Sequence, residues 1–265
     1  MSGTGIRQLF RSSAIEGRVI HALLMREVLT RFGRHNIGFL WMMVEPMLFT
    51  LGVTALWTLV KAFHGSSLPI AAFALTGYST VLLWRNMPAR SIGAVEPNLA
   101  LMYHRNVKLM DVYLARTLLE AAGATMSFVV LSVLFIAVGL IDPPEDVIKV
   151  LTGWIMVAWF GMALAIFLGA LSHESELIEK LWHPISYIIF PLSGAAFLVE
   201  ALPADAQRAV LFLPMVHGAE WVRDGYFGSH FHARYDPAYF FMTNLVLTLL
   251  AMAKLRSVGR EIIPQ

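Results

Sequence analysis

The chain has 265 residues, 57% of them hydrophobic and only 14% charged, with a mean hydropathy of +0.65. Soluble globular chains carry about 25% charged residues, so this composition excludes disorder, collagen, coiled coil and a soluble nucleic-acid-binding domain and places the chain in a membrane. The net charge of +2 says little by itself, and the absence of cysteine removes disulfides, thiol nucleophiles and thiolate metal sites.

In chain order, the first patterned stretch is His21 to Arg34. Leu24, Met25, Val28, Leu29 and Phe32 recur on one helical face, while Arg26, Glu27, Thr30, Arg31 and Arg34 occupy the other. An apolar face with a basic flank predicts an amphipathic helix on the cytoplasmic membrane surface. It serves either as a topology anchor or as a guide for an anionic headgroup.

A membrane-crossing helix needs roughly 20 mostly apolar residues, and six runs meet that need: 37–60, 67–88, 117–141, 150–171, 183–199 and 238–254. The first carries Glu45-Pro46, the second ends in Trp84-Arg85-Asn86-Met87-Pro88, and the fifth is broken by Pro184, Pro191 and Gly194. The expected fold is therefore all-α and polytopic. Residues 1–36 form an amino-terminal cytoplasmic segment with the interface helix, and 37–265 a single six-helix transmembrane domain. With the amino terminus inside, fifteen of the twenty Lys and Arg fall on the inner side, which predicts both termini in the cytoplasm. The first apolar run starts late and lacks a small-residue cleavage site, so no signal peptide is expected.

The loops carry the remaining information. Inner loop 85–116 contains Asn98-Leu99-Ala100-Leu101-Met102-Tyr103-His104-Arg105, a short helix with an apolar side and a polar tip. Leu101 and Tyr103 there suit a cytosolic partner, or pack back under the spans. Inner loop 172–180 holds Glu174, Glu176 and Glu179 against the usual basic bias, either to meet a basic partner or as a solvated face. The outer segment 200–237 mixes Pro203, Pro214, Gly218, Gly225, Gly228 and Pro237 with apolar stretches too short to span. Interrupted helices at membrane depth are tolerated only where they face protein or water. Re-entrant half-helices forming an outer gate are expected, with Glu200, Glu220, Arg223 and Asp224 pairing with one another or lining a water-filled mouth.

No phosphate-cradling P-loop, G-x-S-x-G or H-E-x-x-H occurs, so nucleotide hydrolysis and the common hydrolase sites are not expected of this chain. His230 and His232 form a single close pair, too little for a metal site. Trp84, Trp154, Trp182, Tyr78 and Tyr239 fall near span ends, where aromatic belts form. Stacking on sugar rings is the functional alternative for Trp41, Trp57, Tyr78 or Trp159.

Several stretches carry a resemblance. Arg26-Glu27-Val28-Leu29-Thr30-Arg31-Phe32-Gly33-Arg34, then Gly38-Phe39-Leu40-Trp41 and Glu45-Pro46, are similar to the amino-terminal signature of ABC-2 type transporter permeases. Leu75-Thr76-Gly77-Tyr78, Leu109 to Arg116, and Val216-His217-Gly218-Ala219-Glu220-Trp221-Val222-Arg223-Asp224-Gly225-Tyr226 resemble the capsular polysaccharide export permeases, the KpsM, CtrC and BexB group. O-antigen and teichoic acid permeases share the first stretch.

The resemblance implies an ABC-2 type exporter fold and a homodimer working with two copies of a separate ABC ATPase subunit. ATP and Mg would be bound by that subunit, and no cofactor by this chain. It also implies export of a lipid-linked anionic polysaccharide across the bacterial inner membrane, with docking to periplasmic and outer-membrane export proteins. On this reading Asn98, Leu101, Tyr103, His104 and Arg105, with Glu176 and Glu179, form the ATPase-coupling surface, and Glu200, His217, Glu220, Arg223 and Asp224 the periplasmic gate. Arg31, Arg34, Arg85 and Arg90 are candidates for phosphate or sugar carboxylates, since guanidinium groups hold such oxygens bidentately. Trp41 and Tyr78 are the candidates for sugar or headgroup contact. From other classes, a membrane-embedded lipid or glycan transferase using Glu45, His35 or His217, and a scaffold for capsule synthesis, remain open at this level.

Overall fold

The computed structural model describes residues 3–33, 38–60, 68–104 and 107–262, and among them there are helices and no strands. The helices are α1 (Gly3–Phe32), α2 (Gly38–Val60), α3 (Ile70–Ser91), α4 (Leu99–His104), α5 (Leu109–Ala137), α6 (Val147–Glu174), α7 (Glu176–Leu192), α8 (Ala204–Val210), α9 (Pro214–Phe227) and α10 (Pro237–Ile262). Four stretches among the described residues are long and apolar enough to cross a membrane: Leu40–Leu59, Leu109–Ala137, Val147–Glu174 and Pro237–Arg260.

The centre of the bundle is α3, which packs against α2, α5, α6 and α9 and is buried without interruption from Ala71 to Trp84. Its small residues Ala71, Ala72, Ala74, Gly77 and Ser79 let neighbouring helices approach on every side, which is how helices pack where no hydrophobic effect drives them together. A larger core surrounds it, built on Leu75, Leu83, Trp84, Leu131, Val157 and Phe240. A smaller core lies at the end of the bundle that carries α4, and it joins Leu23 of α1 to Val95, Met102, Tyr113, Ile166 and Leu255. Polar ties fix α6 to α10. The Trp159 indole donates to the Thr248 hydroxyl at 2.9 Å, and the Asn244 amide donates to the Met156 carbonyl at 3.0 Å.

Several boundaries differ from the sequence reading, each for a local reason. The interface helix begins at Gly3 rather than near His21, and α5 begins at Leu109 rather than 117. Asp111 accepts from the Lys108 backbone N–H at 2.9 Å, which caps the early start of α5. Residues 176–180 are the first turns of α7 rather than a loop. Only Ser175 leaves helical geometry, at φ −146°, and Glu176 and Glu179 occupy a helix amino terminus that favours carboxylates. The fifth apolar run stops being helical at Leu192, where Pro191 and the positive φ of Gly194 (83°) end it. Trp84, Trp154, Trp182 and Tyr78 are not a belt: all four are buried in the larger core, and Tyr239 alone of the five is exposed.

Past Leu192 the backbone has no helical partners, and one side chain supplies them. Arg223 of α9 is fully buried. Its Nη1 donates to the carbonyls of Gly194 (2.6 Å) and Phe197 (2.8 Å), and its Nη2 donates to Ala195 (2.9 Å). The guanidinium also lies 4.0 Å from the ring centroid of Phe73, and Glu220 Oε1 is 3.8 Å away. Gly77 makes room for this arrangement, since a Cβ there would meet the Arg223 side chain and lie 2.6 Å from the Ala195 carbonyl oxygen.

Gly77→Val is therefore expected to cost about 1–3 kcal/mol, the range for overpacking, read as earlier thermal unfolding in detergent. Gly259→Ala, whose Cβ meets nothing within 4 Å, should leave the transition unchanged. Arg223→Met leaves three carbonyls and Glu220 without their partner and is expected to cost more, about 3–5 kcal/mol, in the same measurement.

Candidate functional site

At the α4 end, charged side chains of four helices form one network. Arg31 of α1 bonds Glu120 of α5 and lies 3.3 Å from Glu27. Arg116 of α5 donates to Glu27 at 2.7 Å and, through Nη1, to the Arg90 carbonyl at 2.8 Å. Arg90 of α3 sits 3.6 Å from Glu120 and 3.9 Å from Glu45 of α2. Three guanidinium groups thus meet three carboxylates, and Arg31, Asn86, Arg90, Glu45 and Glu120 line one small cavity. The inner members are well covered, whereas the Arg90–Glu45 rung is about half exposed, at 46% and 58%. Exposed pairs are worth little, so this rung opens most readily.

The orientation of α1 explains the network. Met25 and Leu29 are exposed, while the Glu27 and Arg31 side chains are only 13% and 17% exposed. The apolar face is split, with Met25 and Leu29 outward and Leu24 against the smaller core, while Glu27 and Arg31 meet α5. Residue Glu16 extends the attachment by bonding Lys108, and that hydrogen bond raises the Lys108 amine above its ordinary value.

Above the network runs a strip of aromatic rings. Arg85 of α3 lies 4.5 Å from the Tyr187 ring and 5.6 Å from the Phe190 ring, both on α7. Phe190 is 5.7 Å from Tyr78 and 6.0 Å from Phe49, and Trp57 stands 5.9 Å from Tyr78 and 5.7 Å from Phe73. Phe73 in turn carries Arg223. Aromatic faces of α2, α3 and α7 therefore run from one arginine to another. Tyr187 (66%) and Phe49 (40%) are the open members.

The predicted site residues fall as follows. Arg31, Arg90 and Glu45 share the ionic network, whereas Arg85 stands apart on the aromatic strip. Tyr78 is inside that strip and buried, and Trp41 is exposed on α2. Arg34, His35, Arg105 and the side chain of His104 lie outside the described residues. In the α4 region Tyr103 is exposed and Leu101 half-buried, but Asn98 is buried. It accepts from Arg26 and donates to the Ala94 carbonyl at 2.8 Å, so its amide faces α1 and not solvent. Glu176 and Glu179 are exposed, and Glu176 pairs with Lys180 at 3.0 Å.

At the α9 end the expected gate residues separate into two groups. Glu220 and Arg223 are wholly buried and line no mouth; Glu220 accepts from the Arg234 N–H at 3.1 Å. His217 is also buried, and both its ring nitrogens are taken by backbone. Nδ1 accepts from the Asp236 N–H at 2.9 Å, and Nε2 lies 2.8 Å from the Leu211 carbonyl, to which it donates. It is therefore not presented as a base. Asp224 lies 3.1 Å from Lys149 and accepts from Tyr235 at 2.8 Å. Burial, reinforced by that bond to Asp224, pushes the Tyr235 phenol up. Glu200 is exposed and 4.0 Å from His232.

Sequence reasoning did not find the Glu27–Arg116 pair or the contributions of Phe49, Tyr187 and Phe190. The i, i+3 spacing of Tyr187 and Phe190 was a usable signal for one face of α7; the pairing of Glu27 with a residue 89 positions away was not.

The chain has known relatives. The ABC-2 type transporter family model matches residues 18–227. The chain is 42% identical over 256 residues to the capsule polysaccharide export inner-membrane protein CtrC of Neisseria meningitidis serogroup B, covering 97% of each chain. It is 40% identical to the capsule polysaccharide export inner-membrane protein BexB of Haemophilus influenzae over 96% of each chain. To the polysialic acid transport protein KpsM of Escherichia coli it is 24% identical, over 90% of this chain and 92% of that one. This chain belongs to the ABC-2 type transporter membrane family.

Proposed function

We propose that the chain is the permease subunit of an ATP-driven exporter that moves a lipid-anchored capsular polysaccharide from the cytoplasm across the bacterial inner membrane. The observation that carries this reading is the aromatic strip from Arg85 through Tyr187, Phe190, Phe49 and Tyr78 to Trp57. Flat apolar faces with polar edges suit the C–H faces and hydroxyls of successive sugar rings, and arginines suit the acidic groups between them. Relatives whose names specify capsule polysaccharide export support the same reading.

On this reading α3 and α7 are the remaining two of six spans. The 22 residues of α3 and the 17 of α7 reach about 33 and 26 Å at 1.5 Å per residue, close to the roughly 30 Å of hydrocarbon. Both termini and α4 then face the cytoplasm, and α8 and α9 are re-entrant at the outer side. Leu181, Ile185, Ile188 and Leu192 of α7 are exposed, and we assign them to the contact with a second copy, so that two aromatic strips enclose the path. Exposed Tyr103, with Glu176 and Glu179, meets a separate ATPase subunit, which binds ATP and Mg. Each nucleotide state of that subunit favours one arrangement of the bundle. Anionic groups of the substrate first meet Arg90, whose pairing with Glu45 is the loosest in the network. Periplasmic and outer-membrane export proteins receive the polymer beyond α9.

Phe49→Ala with Tyr187→Ala is expected to lower surface polymer about tenfold, as the loss of roughly 1.4 kcal/mol of contact would do, while the ATPase subunit still co-purifies. Quantifying polymer on cells that carry this variant as their sole permease checks it, and wild-type amounts would remove the strip from the path. Tyr103→Asp should instead release the ATPase subunit, seen as its loss from the purified complex with the permease still at normal yield in the membrane.

A further inference from the structure

Arg26 occupies a position that neither the ionic network nor the aromatic strip uses. It projects from α1 and bonds the Asn98 side-chain oxygen, with a second nitrogen 3.5 Å from the Pro97 carbonyl. Both acceptors belong to the turn Glu96–Asn98 that leads directly into α4. One helical turn earlier, Leu23 is buried in the same small core as Ala94, Val95 and Met102. Asn98 is held from its other side by the Ala94 carbonyl, so the turn cannot shift without carrying Arg26. One residue further along α1, Glu27 bonds Arg116, and Arg31 bonds Glu120.

We propose that Arg26 is a positioning residue that makes α1 and α4 one moving body, so that displacement of α4 is passed through α1 to the Glu27–Arg116 and Arg31–Glu120 pairs that hold the inner mouth. This rests on the reading of the chain as an ATP-driven permease. The path is short and made of discrete bonds. The buried contact of Leu23 supplies the attachment, and the charge-assisted bond of Arg26 sets its direction. Nothing but protein surrounds Asn98, whereas Arg90–Glu45 is open to solvent. Movement of α4 is therefore transmitted at Arg26 and released at the outermost rung of the network.

The chain has no cysteine of its own, so an introduced pair holds its only thiols. The test uses the permease and its ATPase subunit in proteoliposomes, measuring ATP hydrolysis and ATP-driven movement of a lipid-linked polymer separately. Arg26→Ala is expected to slow movement about tenfold, equivalent to 1.4 kcal/mol, with ATP hydrolysis and subunit ratio unchanged. The double variant Arg26→Cys with Asn98→Cys should be equally slow until its thiols are joined by a short bis-maleimide, which restores movement by replacing the hydrogen bond with a covalent one. Wild-type rates in Arg26→Ala overturn the proposal. So does a joined pair no faster than the unjoined one, or a loss of ATP hydrolysis in step with movement, which would place Arg26 in ATPase docking instead. Should Arg26→Ala fail to reach the membrane, the joined and unjoined pair still decide between these outcomes. Failure of the wild-type chain to move polymer with ATP overturns the transporter reading itself, and this inference with it.

Discussion

Where α7 ends, backbone carbonyls emerge in the protein interior, and an unsatisfied polar group there costs several kcal/mol. Arg223 resolves this by donating to Gly194, Ala195 and Phe197 at once. The rest of the α9 end follows from that choice. Burying a guanidinium calls for a carboxylate close by, which is Glu220, and for an aromatic face, which is Phe73. It also calls for a gap in α3, which is Gly77. Glu220 then takes the backbone N–H groups of Val199 and Arg234, and so fixes the chain on both sides of α9.

The opposite end is built on balance rather than on one residue. Three arginines and three glutamates neutralise each other across α1, α2, α3 and α5. A buried network of this kind is costly to leave half-paired, which holds the helices together as long as every partner is present. Its exposed rung, Arg90–Glu45, is the cheapest to exchange for another anion. One network thus combines a covered interior with an edge open to solvent.

Between the two ends the aromatic strip turns structural side chains into a surface. Tyr78 and Phe73 are buried and hold α3 in its neighbours, while Tyr187 and Phe49 face outward. The arginine at each end of the strip is held over a ring, so the same rings that pack the bundle also position its cations. Arg26 ties α1 to the turn that leads into α4, apart from this strip.

Composition and local pattern were enough to establish a membrane protein, its apolar runs, the amphipathic α1, the short helix near Leu99 and the irregular stretch after Gly194, because each is written in neighbouring residues. The capsule-exporter resemblance was equally legible in stretches such as Val216 to Tyr226. Which way each polar side chain turns was not. Glu220 and Arg223 sit three residues apart on α9 in a segment that reads as an outer loop, yet both are buried, because the carbonyls that Arg223 serves follow a helix that ends about thirty positions earlier and Glu220 pairs with Arg223 beside them. Asn98 reads as the tip of a loop and faces α1 instead, and Trp84 and Trp154 read as belt residues and pack in the core. The sequence by itself determined the solvent, since that depends on composition alone. Only the tertiary structure decided which charges meet one another, since pairing across 89 positions, as between Arg116 and Glu27, is a property of helix packing and not of any local run.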